Sequence, residues 1–218
     1  MPTRQIGWNV GELAFALMYV LVAVQALVLG YAFSRRYLAW RGGRPYGPID
    51  RIGARVRQTL AVTLLHRRLI RPGYVYPGLM HLFIFWGFVF LFIGTLIVLL
   101  EADIVRPYFG GSFFQGTFYV IYKLVINFFG LIFLIGLLMA VYRRYFQHLP
   151  KFRRNLSDDA IVLGSLLFLG VTGFLLEALR LSATQDPAAP IHWVAYPLTL
   201  VLNGLDPSAL TAAHAVTW

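Results

Sequence analysis

The chain has 218 residues, of which 59% are hydrophobic and only 13% charged, with a net charge of +10. Soluble domains carry about 25% charged residues, so this composition excludes one. The absence of cysteine excludes disulfides and thiolate-held iron–sulfur clusters from these residues, leaving histidine as the candidate metal ligand.

The cations are clustered. Ten of the nineteen Lys and Arg lie between Arg35 and Arg71, five more lie between Arg143 and Arg154, and both stretches are flanked by long apolar runs. Confinement to alternate loops is the signature of membrane topology and of contact with anionic lipid headgroups, not of a nucleic-acid partner.

A spanning helix needs about 20 mostly apolar residues. The first such run covers about 11–33 and lacks a small-residue cleavage site after it, so it is expected to remain as a helix. The others cover about 77–100, 116–142 and 159–179. Asp158 and Asp159 suit the start of the fourth run, where a helix N-terminus favours negative charge. Beyond it, Ile191–Leu202 is apolar but too short to span. With His192, Trp193 and Tyr196 it reads as a short interfacial helix on the outer leaflet. Asp206-Pro207-Ser208 then marks a further helix start, and a fifth span beginning near 207 is expected to be completed after Trp218. The expected fold is all-α: a polytopic membrane helical bundle, one membrane domain over 1–218 with four complete spans and the start of a fifth. The Arg-rich loops place the N-terminus outside and those loops in the cytoplasm of a bacterial or archaeal cell. The same basic surface suits an acidic soluble partner, but anionic lipid is the simpler one.

Within such runs an ionisable residue is by default a functional candidate. Of the five histidines, His66 and His148 read as solvated and His192 as interfacial, whereas His81 and His214 fall inside predicted spans. Neutral imidazole is the usual axial ligand of haem iron. Gly78, Gly87, Gly94, Gly130 and Gly136 either admit a flat macrocycle to the backbone or serve close helix packing. One iron held by both His81 and His214 is excluded by depth. His81 lies about four residues from the inner end of its span and His214 about seven from the outer end, a difference of roughly 14 Å across a core about 30 Å thick. Lys123, Glu177 and Arg180 are candidates for a quinone, a haem propionate or a proton path. The plainer alternatives are a Glu177–Arg180 surface ion pair and a Lys123 that snorkels outward. Tyr119, Tyr122 and Asn127 could add hydrogen bonds.

The wording around His81 is more specific than its spacing. Tyr76–Asp103, with GLMH, IFWGF, FIGT and LEAD, and Asp158–Leu181, with DDAIVL and TGFLLEALRL, resemble the nitrate-reductase-gamma-like haem b membrane domain of heterodisulfide-reductase-related iron–sulfur oxidoreductases. Within that group the resemblance is to the electron-transfer-flavoprotein:menaquinone oxidoreductase type. It implies a five-helix bundle with b-type haem held by histidines of the second and fifth spans. One haem is expected, on His81 and a histidine near the end of the fifth span. His214 matches the ligand of an outer haem, but Phe90, Leu91, Phe92 and Ile93 stand where its partner on the second span belongs. Iron–sulfur clusters are expected only beyond Trp218, in a cytoplasmic module, or in a partner. Menaquinone and an electron donor such as electron-transfer flavoprotein are the implied partners. The expected function is membrane electron transfer within a respiratory oxidoreductase, the chain alone not being catalytic. The alternative is a cofactor-free membrane anchor or small transporter.

Overall fold

The computed structural model describes residues 7–43, 50–64, 66, 70, 72–147 and 156–217, all of its elements being helical. Four helices are long and apolar enough to cross a membrane: Glu12–Arg41, Val75–Phe109, Gly116–Phe146 and Ser157–Thr184. The chain is thus an all-α polytopic membrane bundle. It divides into two units, Asn9–Leu65 and a second made of Met1–Trp8 with His66–Trp218.

The first unit holds α1 (Glu12–Arg41) and α2 (Ile52–Leu64), neither with a buried residue. Helix α1 runs eight residues past the predicted Phe33, because Tyr37, Leu38 and Trp40 continue the apolar run between Arg35, Arg36 and Arg41. Such residues extend a helix readily where long cationic side chains can reach the interface. Ahead of α2, Asp50 takes an ion pair from Arg55 at 2.7 Å.

In the second unit α3 (Val75–Leu99) and α5 (Gly116–Val141) lie antiparallel in close contact, with Gly87 against Phe133, Gly94 against Ile126 and Gly136 against Ile84. A Cβ at Gly87 would stand 2.6 Å from the Phe133 Cβ and 2.8 Å from its Cα. The glycines on these faces are therefore occupied by helix packing. Gly130 meets the Phe174 ring of α6 (Leu156–Thr184), and Gly170 meets Leu134, so α6 is antiparallel to α5. Without a hydrophobic drive between helices in lipid, small residues that let backbones approach supply this packing. Tyr76 fastens the pair by donating its hydroxyl to the Met139 carbonyl at 2.9 Å.

Helix α3 continues through a π-helical stretch, Leu100–Val105, into α4 (Arg106–Phe109), which Gly110 ends in the left-handed conformation at φ 63°. The π-helical stretch turns Glu101 inward, where it is fully buried. Its carboxylate accepts from the Ser112 hydroxyl, from the Phe113 amide at 3.2 Å and from Arg106 Nε at 3.1 Å. One carboxylate thereby ties the α4–α5 connection to the end of α3. Glu101→Ala is expected to release that connection, read as new protease cleavage between 106 and 115; unchanged resistance would show that aromatic packing of Phe113 and Phe114 suffices.

After α6 the chain folds back. A 3₁₀ turn, Ala189–Ile191, leads to α7 (Tyr196–Leu202) and then α8 (Pro207–Thr217), and both helices pack on α6. Ala178, Leu181, Ala189 and Ala195 form the contact, with Phe174, Tyr196 and Leu202 around it. The segment predicted to lie alone on the outer leaflet is therefore joined to the bundle, since its small residues fit against α6. Asp206 starts α8 as expected, accepting the Ser208 hydroxyl and the Ala209 amide. Among the described residues α8 has eleven, fewer than a span requires.

Candidate functional site

Three elements place polar groups at one end of the second unit. Lys123 is in the second turn of α5, Glu177 is on the facing side of α6, and His192 is in the connection that folds back between them. Lys123 donates to Glu177 Oε1, and His192 Nδ1 lies 2.8 Å from the same oxygen. Asn127 donates to Glu177 Oε2 at 3.4 Å and accepts from the Val194 amide at 3.3 Å, while the Tyr119 hydroxyl sits 3.2 Å from His192 Nε2. Tyr119 and His192 are wholly buried and Asn127 is 1% exposed. Buried charges persist where they are paired and hydrogen-bonded, and here each one is. Burial holds the His192 imidazole below its ordinary pKa of 6.5, with the Lys123 and Arg180 charges adding to that effect and Glu177 opposing it.

This arrangement replaces two simpler expectations. Glu177 does not pair with Arg180 along the helix; Arg180 pairs instead with Asp186 at 3.4 Å, which the reversal after α6 brings beneath it. Lys123 does not snorkel: its side chain is only 10% exposed, because Glu177 lies within reach across the helix interface. His192 is not interfacial either, although its neighbour Trp193 is 40% exposed. Pro187 and Pro190 mark a reversal in the sequence, but a histidine beside Trp193 gives no sign that it will be buried against Glu177.

Beside the cluster is a cavity of about 220 Å³ between α3, α5 and α6. Its walls are Leu91, Ile126, Gly130, Phe133, Leu169 and Phe174, and its polar lining is Asn127 and Glu177. Leu169 is 64% exposed, which puts one wall at the lipid-facing surface. A second cavity, of about 270 Å³, shares Leu91 and Ile126 and is lined by Lys123, Tyr122 and Thr95. Small-molecule sites are typically of this kind, apolar with a few convergent polar groups.

The predicted haem ligands lie elsewhere. His81 is exposed near the start of α3, and the His66 ring meets it edge-on at 5.1 Å between centroids. His66 is 3% exposed and also contacts Phe85, contrary to its expected solvation. That close contact leaves no gap for a macrocycle between the two rings. A group held by His81 would therefore sit on its exposed side, away from His66. His214 is buried on α8 against the Trp8 ring, within electrostatic reach of Arg180, and its Nδ1 has no hydrogen-bond partner among the described residues. Extending the Gly87–Phe133 and Gly94–Ile126 pairings sets Lys123 level with about residue 97 of α3, roughly 24 Å along the bundle from His81 at 1.5 Å per residue. His81 and the Lys123–Glu177 cluster thus occupy opposite ends. His148 lies outside the described residues.

Fold and site together define a multi-pass membrane protein with a buried ionic cluster beside an apolar cavity. The chain is related to an oxidoreductase: the EtfAB:quinone oxidoreductase of Syntrophomonas wolfei subsp. wolfei is 27% identical to it over 199 residues, which is 90% of this chain and 26% of that protein. The chain spans about a quarter of that relative's length. No family model and no solved structure matches the chain.

Proposed function

We propose that this chain is the membrane domain of a respiratory oxidoreductase, passing electrons between an electron-transfer flavoprotein and menaquinone. The observation that carries this reading is the apolar cavity headed by Asn127 and Glu177, beside Lys123 and His192. A quinone is a flat apolar ring bearing two carbonyl oxygens. Such a cavity accepts the ring against Leu91, Phe133 and Phe174, offers the Asn127 amide as a donor to an oxygen, and lets the tail leave past Leu169 into lipid. The relative's name, which joins a flavoprotein to a quinone, supports the same assignment.

His81 is the proposed axial ligand of one b-type haem, its second ligand coming from outside the described residues. When bound, such a group would supply one-electron exchange at the His81 end of the bundle. Iron–sulfur clusters belong to another part of the assembly. The Arg-rich loops face the cytoplasm of a bacterial or archaeal cell and rest on anionic lipid, with the N-terminus outside.

Two measurements on the full-length protein in membranes test the reading. A reduced-minus-oxidised spectrum should show a b-type band that His81→Ala removes. Naphthoquinone reduction should fall about tenfold or more in Gly173→Leu, because Gly173 lines the cavity with nothing within 4 Å of a Cβ, and loss of a near-attack position is worth at least that much. A parent protein with neither the band nor quinone activity would be a cofactor-free anchor or transporter.

A further inference from the structure

We propose that His192 relays the protons of the quinone reaction through Glu177, so that the proton path enters by the connection between α6 and α7 and not along a spanning helix. This rests on the quinone reading above.

Reduction of a quinone takes up two electrons and two protons: Q + 2e⁻ + 2H⁺ → QH₂. The electrons come from the flavoprotein donor; the protons must come from water. The cavity lining is otherwise apolar, and Glu177 is its one group able to exchange a proton, Asn127 being an amide. Each proton Glu177 gives to a quinone oxygen has to be replaced through a neighbour. Two neighbours touch Oε1, Lys123 and His192. A lysine holds its proton far above neutral pH, whereas an imidazole gains and loses one near it.

Both ring nitrogens of His192 are placed for transfer. An ionised Glu177 accepts from Nδ1–H, and Nε2 then accepts the Tyr119 O–H at 3.2 Å. The line Tyr119, His192, Glu177 is continuous and ends at the cavity. In the reducing direction His192 Nδ1–H passes its proton to the ionised Glu177 while Nε2 takes one from the Tyr119 side. Glu177 then hands that proton to a reduced quinone oxygen and is again ionised. A second passage supplies the second proton, and quinol oxidation reverses each transfer. His192 lies close to the surface of the connection, since Pro190 and Trp193 near it in the chain are exposed, while Tyr119 itself is buried. The charged and titratable groups facing the ring are Glu177 and Arg180 of α6 and Lys123 and Tyr119 of α5. Asp186 in the same connection is paired with Arg180, and His214 of α8 lies near that arginine.

Because burial holds the ring below its ordinary pKa of 6.5, its protonated fraction grows as pH falls below that value. The rate of quinone reduction should therefore rise as pH is lowered through the range below 6.5. The test uses the full-length protein with reduced electron-transfer flavoprotein and a short-chain naphthoquinone. His192→Gln can still donate to Glu177 but cannot pass a proton on. Its KM is expected to stay within about twofold and its kcat to fall about a hundredfold, the lower end for acid–base catalysis, with a flattened pH profile. Tyr119→Phe should show the same flattening with a smaller fall, and decides the matter if His192→Gln fails to assemble. Parental kcat and pH profile in these variants would overturn the relay. If they are parental while Gly173→Leu is inactive, the relay alone falls. If Gly173→Leu is as active as the parent, the quinone site falls and takes the relay with it.

Discussion

Lys123→Met is expected to destabilise the protein by about 3–5 kcal/mol, the range for removing one partner of a buried ion pair. Methionine fills nearly the same volume, so little of that loss comes from a cavity. The cost is a Glu177 carboxylate left with His192 and Asn127 as its neutral donors. In a Glu177→Gln background, where Lys123 is itself the unpaired buried charge, the same substitution should be neutral or stabilising. A double-mutant cycle on the unfolding midpoint in detergent measures the difference. Equal losses in both backgrounds would show that Lys123 contributes packing and not charge compensation. The single variant should also lose quinone turnover, since the group organising Glu177 would be gone.

Gly87→Ala should lower stability by about 1–3 kcal/mol although it adds one methyl group to an apolar helix, where alanine is intrinsically favoured. The new Cβ would meet Phe133 Cβ, Cα and N at 2.6, 2.8 and 2.9 Å. Two of those atoms are backbone, which cannot swing aside, so α3 and α5 must separate. Gly136→Ala meets the Ile84 amide nitrogen at 2.9 Å and should behave alike. Gly164, with nothing within 4 Å of its Cβ position, provides the control: its alanine variant should be neutral or up to about 1 kcal/mol more stable. A Gly87→Ala protein as stable as the Gly164→Ala protein would mean that the α3–α5 contact is looser than described.

The contrast between those glycines shows what the sequence conveys and what it does not. Apolar run length fixed all four spanning helices, because in lipid each backbone polar group must be satisfied within its own segment. That rule is local. Whether Gly87 meets a neighbouring helix or open space depends on rotation about the helix axis, which is set by packing partners far along the chain. The cluster divides the same way. Lys123 and Glu177 stand out in apolar runs, but each had a nearer outlet in the sequence, Arg180 one turn along from Glu177 and the interface for Lys123, so their pairing across helices was not legible. His192 is hidden in a connection rich in proline and alanine, where a histidine beside a tryptophan reads as interfacial. Its burial follows from Ala189 and Ala195 fitting against Ala178 and Leu181. Small side chains in a reversal give little outward sign that the reversal will close over a charge.

The 54 residues separating Lys123 from Glu177 also set an order of events at the ribosome. Lys123 reaches the insertion machinery while its counter-charge is still untranslated. A lysine at the centre of a helix opposes insertion by about 2.5–3.5 kcal/mol, less toward the end, and the leucines, isoleucines and phenylalanines of the same segment offset this at roughly 0.3–0.6 kcal/mol each. The span can therefore enter the bilayer carrying an uncompensated cation, which is neutralised only when α6 arrives. Until then the nascent chain displays a polar mark that a membrane protease or chaperone can read, and a chain whose α6 docks late displays it longer.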